Sequence, residues 1–257
     1  MGFLTEIAED VRRRLERRPL DEAGLMARAL RMPPTRAFAG ALRASDVPAV
    51  IAEVKRSSPS AGRIADPHPA TQARAYEAGG AAAISVLTEP TRFDGSLADL
   101  RAVRLAVAVP VLRKDFLLHP SQVIEARAAG ADAILLIAAA LSGPELQAML
   151  GAAADLGLDA VVEAHSEADL ERVLATGAEV VGINARDLET LDVDLDRGLE
   201  LLRQVPADRI AILESGISSR SQVGAAVGAG ARAVLVGEAL MRASDPTRAV
   251  RDLRGGP

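Results

Sequence analysis

Residues Ala49–Ser60 read Ala-Val-Ile-Ala-Glu-Val-Lys-Arg-Ser-Ser-Pro-Ser, and this stretch is the starting point for the fold. Its first six residues form a short apolar run rich in β-branched side chains, which is typical of a strand covered on both faces. Glu53 and Lys55 stand where the strand should end, and because they are two residues apart they project to the same side. This pair is either a structural ion pair or part of a catalytic site.

The chain after this strand alternates short apolar runs with helical segments, which predicts parallel strands joined by right-handed crossovers. A Gly-Ala pair precedes every second strand, at residues 80, 130, 177 and 230. The chain thus contains eight strand–helix units in 257 residues, which predicts a closed (β/α)8 TIM barrel in the α/β class. The first strand carries no G-x-G-x-x-G fingerprint, which argues against a dinucleotide-binding sheet. The predicted strands are 49–54, 81–87, 109–113, 132–137, 158–163, 179–184, 209–214 and 232–237.

We predict one domain, residues 1–257, made of a helical N-terminal extension over 1–48 and a barrel over 49–257. Phe3, Ile7, Val11 and Leu15 recur at four-residue spacing, which indicates an amphipathic first helix. Further helices are expected over 22–31 and 36–43. The first helix either covers the site as a lid or plugs the bottom of the barrel.

Composition excludes several classes of function. There is no cysteine, so disulfides, thiolate metal sites and a cysteine nucleophile are excluded, and the three histidines show no metal-ligand spacing. A net charge of −5 gives no reason to expect a nucleic acid partner. No apolar run is long enough for a membrane span, and the N-terminus does not resemble a signal peptide. We therefore expect a cytoplasmic protein, monomeric or weakly homo-oligomeric, with no metal or redox cofactor.

Rare residue types converge on the predicted carboxyl ends of the strands, where such barrels place their active sites. Both lysines of the chain, Lys55 and Lys114, stand there, although Lys and Arg total 30. The single asparagine, Asn184, also stands at a strand end. Because surface cations in this chain are otherwise arginines, the two lysines indicate a need for a compact, titratable ammonium.

Glycines after the last two strands predict a phosphate site. Ser215 and Gly216 follow strand seven, and Gly237 and Glu238 follow strand eight. Glycine lets backbone N–H groups approach an oxyanion, and barrels often bind phosphate in these two loops. The expected ligand is thus a small phosphorylated substrate.

Seven segments in order resemble indole-3-glycerol phosphate synthase. They lie at 51–60, 85–96, 111–116, 162–163, 182–188, 214–217 and 236–240, and include Val-Leu-Arg-Lys-Asp-Phe at 111–116. The resemblance implies a carboxy-lyase of tryptophan biosynthesis that closes the pyrrole ring of 1-(2-carboxyphenylamino)-1-deoxyribulose 5-phosphate, releasing carbon dioxide and water. It assigns Lys114 as general acid and Glu163 as base. It adds Glu53, Lys55, Asn184 and Ser215 as further site residues, of which we count the first three as catalytic.

The remaining predicted site residues bind the substrate. The substrate-binding set is Ser57, Phe93, Phe116, Leu135, Arg186, Leu188 and Glu214, and the phosphate-binding set is Ser215, Gly216, Gly237 and Glu238. An aromatic substrate needs apolar walls, which four members of the first set can supply. The pKa of a free lysine is high for an acid at neutral pH, so burial or a second cation, which Lys55 can provide, would favour proton donation. Lys55 alternatively holds the substrate carboxylate.

Two other functions fit the same pattern. One is a different phosphosugar enzyme on this barrel, either an isomerase or an aldolase that uses Lys114 as a Schiff base. The other is a phosphate-ligand-binding barrel without catalysis. The presence together of Glu53, Lys114 and Glu163 argues against the second.

Overall fold

The computed structural model describes residues 2–45 and 48–255, and within them eight parallel strands close into a barrel. The predicted (β/α)8 TIM barrel is therefore confirmed. Each observed strand end lies within two residues of its predicted position. The strands are β1 Ala49–Val54, β2 Ala83–Leu87, β3 Val111–Lys114, β4 Ala133–Ile137, β5 Asp159–Ala164, β6 Val180–Asn184, β7 Ile210–Glu214 and β8 Ala233–Val236.

Strand β1 closes the barrel because it pairs in parallel with both β2 and β8. Glu53 lies opposite Ser85 of β2, and Glu163 of β5 lies opposite Gly182 of β6. In a parallel barrel, residues that share a level point into the same layer of the interior. The register therefore places side chains from distant parts of the sequence at one carboxyl-terminal rim.

The Gly-Ala repeat has a simple conformational cause. Gly80, Gly130, Gly177 and Gly230 all have positive φ, between 76° and 107°. At three of these turns, the N–H of the following alanine donates to the carbonyl five residues earlier, as from Ala81 to Tyr76 at 3.0 Å. This hydrogen bond closes the end of a helix in a Schellman arrangement, which needs a left-handed residue that glycine adopts without strain. The repeat therefore marks helix ends that lead into even-numbered strands.

Helices fill the spaces between the strands, and serine caps begin several of them. Ser96, Ser142 and Ser166 each accept a hydrogen bond from the backbone N–H three residues later, as their spacing predicted. A two-stranded hairpin, Ser57–Ser58 with Gly62–Arg63, follows β1. The helices are α1 Phe3–Arg17, α2 Glu22–Ala29, α3 Phe38–Ala44, α4 Pro69–Ala78, α5 Leu97–Ala106, α6 Pro120–Ala129, α7 Gly143–Asp155, α8 Glu167–Ala175, α9 Leu195–Leu202, α10 Arg220–Gly228, α11 Glu238–Met241 and α12 Pro246–Arg254, with a 3₁₀ turn at Ala138–Ala140.

Helix α3 closes the bottom of the barrel. The N–H of Ala39 donates to Asp159 at 2.9 Å, and that of Arg36, just before the helix, donates to Asp132 at 2.8 Å. Both acids lie at the amino ends of strands. Arg232, just before β8, donates to the carbonyl of Leu42 at 3.0 Å. The plug that we considered for the first helix is therefore supplied by the third.

Helix α1 instead lies at the carboxyl-terminal rim. The N–H of Leu4 donates to the carbonyl of Leu188 at 3.2 Å. The ring of Phe3 meets that of Phe116 edge-to-face, with centroids 6.2 Å apart. Of the two positions considered for this helix, the structure shows the one over the site.

The barrel interior is apolar below this rim, and the described helices are short or polar. No helix within residues 2–45 and 48–255 combines the length and the apolar character needed to cross a bilayer.

Candidate active site

A cavity of about 500 Å³ opens at the carboxyl-terminal rim. Fifteen of the sixteen predicted site residues line it, with contributions from all eight strands or the loops after them. Ser57 is the exception, because it lies in the hairpin after β1, paired with Arg63. The fifteen are Glu53, Lys55, Phe93, Lys114, Phe116, Leu135, Glu163, Asn184, Arg186, Leu188, Glu214, Ser215, Gly216, Gly237 and Glu238.

Lys114 lies at the centre of the charged groups. Its Nζ is 3.1 Å from Oε2 of Glu163 and 2.5 Å from Oε2 of Glu214. The two carboxylates are almost fully buried, at 1% exposure each, and the lysine side chain is 14% exposed. One ammonium thus bridges acids from β5 and β7 and faces the cavity.

Burial alone would lower the pKa of Lys114, but the carboxylates of Glu163, Glu214 and Glu53 outweigh it and raise that pKa above its ordinary value. From the sequence we expected burial or Lys55 to lower the pKa of Lys114, and this expectation is wrong. The ammonium is fully protonated at neutral pH. Lys114 can donate its proton only after a bound ligand has replaced part of its contacts with these carboxylates.

The two acids respond to the shared ammonium in opposite ways. Burial works against ionisation of Glu163, but Lys114 and His165 prevail and hold its pKa well below the usual range. Burial together with the charge of Glu163 raises the pKa of Glu214 to about 8, against the attraction of Lys114. Glu163 is therefore the ionised member and Glu214 the member that holds a proton near neutral pH.

Gly182 makes room for this arrangement. It lies on β6, between the strands that carry the two acids. A Cβ at this position would be 2.5 Å from Oε1 of Glu214 and 3.1 Å from the side chain of Val161. The glycine lets Glu214 turn into the barrel toward Lys114.

Glu214 leads to the first prediction, which concerns pH. Because its folded pKa is raised from 4.5 to about 8, the protonated form favours the folded state. Its contribution to stability is present below about pH 4.5 and is lost as pH rises through about 8. Glu214→Gln removes this loss, so we expect the variant to gain stability relative to wild type between pH 5 and pH 8.5, on the order of 4 kcal/mol. Urea unfolding at both pH values measures this difference, and parallel curves would contradict it.

Glu53 and Lys55 form a second ion pair on the cavity wall. Nζ of Lys55 lies 2.9 Å from Oε1 of Glu53, and Glu53 is 2% exposed. Oε2 of Glu53 is buried without a hydrogen-bond partner among the described residues. That orphaned oxygen is costly unless a ligand satisfies it, so it marks a position for a hydrogen-bond donor.

Gly237 backs directly onto this pair, which gives the second prediction. A Cβ there would be 2.3 Å from Oε1 of Glu53 and 3.1 Å from Nζ of Lys55. The backbone φ is negative, at −114°, so no left-handed conformation is involved and the obstacle is the contact with the Glu53 and Lys55 side chains. We expect Gly237→Ala to displace the pair and to lower kcat/KM about 10²-fold in steady-state assays. Gly224→Ala is the matched control, because a Cβ there meets nothing within 4 Å; equal activities of the two variants would refute the argument.

Asn184 acts as an acceptor for two neighbours. Its Oδ1 accepts hydrogen bonds from the Ser215 hydroxyl at 2.8 Å and from the N–H of Arg186 at 3.0 Å. These contacts leave the amide NH₂ for other partners. Ser215 and Gly216 both have positive φ, 68° and 78°, so the chain turns sharply around the cavity at this point.

Arg242 is a cavity residue that the sequence did not single out. Its Nε donates to Oε1 of Glu238 at 3.0 Å, and both residues line the rim beside Gly237. The pair has i, i+4 helical spacing, which a sequence reader takes for an ordinary surface pair. The Glu238 carboxylate is negatively charged and is paired with Arg242. If Glu238 contacts an anionic ligand, it must therefore do so through its backbone N–H.

Aromatic rings form the apolar wall. Phe93 and Phe116, which line the cavity, have centroids 6.3 Å apart, and Phe3, the third of the four phenylalanines in the chain, packs against Phe116. The buried Glu89 carboxylate holds the Phe93 loop by accepting from the N–H groups of residues 91 and 92, at 2.9 and 2.6 Å. The sequence indicated Phe93 and Phe116, but Phe3 joins them only because α1 folds over the rim.

His165 is the other group that sequence reasoning left aside. Its Nε2 lies 3.0 Å from Oε1 of Glu163, and its side chain is 10% exposed. Burial alone would lower the pKa of His165, but Glu163 and more distant acids raise it. Its position two residues after Glu163, directly beyond the end of β5, was the available signal.

Known proteins resemble this chain in sequence and in fold. The family model described as Indole-3-glycerol phosphate synthase matches residues 3–253. A protein of that name from Micrococcus luteus is 51% identical over 99% of this chain and 97% of its own, and one from Nocardioides sp. is 58% identical over 80% of each chain. Among solved structures, 3-hexulose-6-phosphate synthase has a TM-score of 0.65 over 80% of this chain and 98% of its own. At 18% identity that likeness concerns the fold alone.

Proposed function

The chain belongs to the indole-3-glycerol phosphate synthase family, and from this membership we propose how its residues divide the reaction among themselves. The activity is that of a carboxy-lyase in tryptophan biosynthesis. It closes the pyrrole ring of 1-(2-carboxyphenylamino)-1-deoxyribulose 5-phosphate and releases carbon dioxide and water. The substrate is therefore an anion with an aromatic ring at one end and a phosphate at the other.

The observation that carries the assignment of roles is the position of Lys114 between Glu163 and Glu214. Ring closure places negative charge on the ketone oxygen of the substrate, and a protonated amine can stabilise that charge and then protonate it. Lys114 is held in the protonated state and faces the cavity. We assign it as the general acid of ring closure.

Glu163 is the proposed base of the last step. Dehydration removes a proton from carbon while the hydroxyl leaves with assistance from an acid. Glu163 is ionised, buried and 3.1 Å from Lys114, so a base and an acid stand side by side. The Lys55–Glu53 pair on the neighbouring wall is placed to assist the leaving hydroxyl, and Asn184 orients the substrate without changing charge.

Shape and charge support one orientation of the substrate. The rings of Phe93 and Phe116, with Leu135 and Leu188, offer an apolar wall for the anthranilate ring. The glycines of the two loops after β7 and β8 let backbone N–H groups approach the phosphate. With Glu214 protonated, the two lysines balance Glu53 and Glu163, so an anionic substrate enters a site that is not negatively charged.

The raised pKa of Lys114 also argues against the Schiff-base aldolase. An imine forms only from the neutral amine, and Lys114 is stabilised as the ammonium. Trapping of a lysine adduct by borohydride with the natural substrate would support the aldolase and contradict the proposal.

The deciding experiment is a turnover assay. Purified protein, dialysed against a chelator, should convert the carboxyphenylamino-deoxyribulose phosphate into indole-3-glycerol phosphate without added metal. Fluorescence of the indole product measures the rate. Activity that appears only when a metal is returned would overturn the proposed acid–base mechanism.

We also propose that the enzyme works in the cytoplasm as a monomer or weak homo-oligomer. The described site groups all come from one barrel, so a single chain supplies each assigned role. Sedimentation of the purified protein tests the assembly, and cell fractionation tests the location. A tight oligomer or a membrane-bound fraction would contradict these points.

A further inference from the structure

We propose that His165 is a positioning residue that holds the Glu163 carboxylate from the side opposite Lys114. Oε1 of Glu163 lies 3.0 Å from Nε2 of His165, and Oε2 lies 3.1 Å from Nζ of Lys114. Each oxygen of the carboxylate thus faces a nitrogen, Oε2 through a hydrogen bond from Lys114 and Oε1 through a close charge contact with His165. With Oε1 fixed by the imidazole, Oε2 keeps one orientation even when Lys114 turns from it to the substrate.

The backbone of His165 is itself fixed on both sides. Its N–H donates to Oδ2 of Asp169 at 3.3 Å, and its carbonyl accepts from Nη2 of Arg197 at 2.8 Å. Ser166, the N-cap of α8, donates to the same Asp169 oxygen at 2.9 Å. These backbone hydrogen bonds fix the position from which the His165 ring reaches Glu163.

Among the described residues, the polar contact of the His165 ring is with the Glu163 carboxylate. Across residues 2–45 and 48–255, neither ring nitrogen has an aligned hydrogen-bond partner, and Nε2 faces the Glu163 oxygen. Leaving a buried imidazole without partners is unfavourable, so the contact with a charged carboxylate accounts for its presence there.

Other charges also face this histidine. Asp169 on α8 and Glu214 on β7 favour its protonated form, as Glu163 does, and Asp187 in the loop after β6 is close enough to be influenced by it. Arg197 on α9 donates a hydrogen bond to its carbonyl. The balance raises the pKa of His165, so the imidazolium also keeps Glu163 ionised.

This inference rests on the proposed base role of Glu163 for its catalytic consequence, but the contact itself can be tested without activity. NMR of protein labelled at its three histidines reports the pKa of each, and His165→Gln identifies the signal of His165. We expect a value above 6.5 in wild type. In Glu163→Gln the value should fall by about one unit or more, because burial then meets fewer opposing charges. A wild-type value below 6.5, or one that Glu163→Gln does not change, overturns the inference.

Kinetics separate positioning from packing. His165→Leu keeps the volume but loses the polar contact, and we expect kcat to fall about 10²-fold with KM changed little. His165→Gln retains a donor near the position of Nε2 and should recover most of that loss. His68→Gln, at an exposed histidine, is the control and should match wild type. Equal losses in the leucine and glutamine variants would show that His165 only fills space.

The step that slows distinguishes this inference from the proposed function. His165→Leu should accumulate the same late intermediate as Glu163→Gln, seen by rapid quench. If Glu163→Gln is slow and His165→Leu turns over like wild type, only the role of His165 fails. If Glu163→Gln itself turns over like wild type, the base role of Glu163 fails, and with it the catalytic role of His165.

Discussion

Lys114→Arg is expected to lose at least about 10³-fold in kcat while the protein keeps its fold. Arginine preserves the positive charge between Glu163 and Glu214, so the two buried carboxylates stay paired. It does not give up its proton in proteins, so protonation of the ketone oxygen fails. The measurement is steady-state turnover, with thermal unfolding recorded on the same sample.

A second substitution at this position separates charge from proton transfer. Lys114→Met leaves the buried Glu163 carboxylate and the Glu214 carboxyl group without their cation, which is costly in a low-dielectric site. We expect it to be as inactive as Lys114→Arg but less stable by about 3 kcal/mol. Full turnover by Lys114→Arg would refute the general-acid assignment. Equal stability of the two variants would show that the ammonium does not hold the acids together.

Glu163→Gln is expected to stop the reaction later than any change at Lys114. The amide keeps the shape of the side chain but cannot accept a proton from carbon, so dehydration fails after ring closure and decarboxylation have occurred. The loss in kcat should be about 10²- to 10⁴-fold, the range of general base catalysis. Single-turnover experiments with rapid quench should reveal a decarboxylated intermediate that builds up before product.

The comparison with Lys114→Arg makes this test decisive. In that variant substrate should persist, because the first bond is not formed. If both variants arrest at the same species, the separate acid and base roles are wrong. Glu171→Gln, at an exposed carboxyl on α8, serves as the control and should turn over like wild type.

The sequence was sufficient for the barrel and for most residues of the rim. Alternation of strands and helices, the Gly-Ala repeat and the serine caps each reflect local backbone physics, so they could be recognised without coordinates. The strand starts were placed up to two residues early, because residues such as Ala81 and Asp132 belong to turns that look apolar or continuous in sequence. The two lysines were informative because every other cation is an arginine.

What the sequence could not supply was the pairing of charges. Lys114 was expected to be helped by a neighbouring cation, whereas two acids from β5 and β7 surround it. Such contacts span 49 and 100 residues and depend on barrel closure. The role of Gly182 was hidden for the same reason, because it depends on Glu214 of the adjacent strand β7. His165 stands only two residues after Glu163, so its contact could have been considered from the sequence. Arg242 resembled an ordinary helical surface charge.

The route of the first 45 residues has a consequence for how the chain is made. Helix α1 touches Leu188, and the residue that holds α3 is Arg232. Helix α3 must therefore wait for a partner that lies 190 residues further along the chain, and α1 must wait for the loop after β6. We expect both ends of the barrel to be sealed only after β8 has emerged, so that the nascent chain carries an amphipathic helix with no place to dock for most of its synthesis.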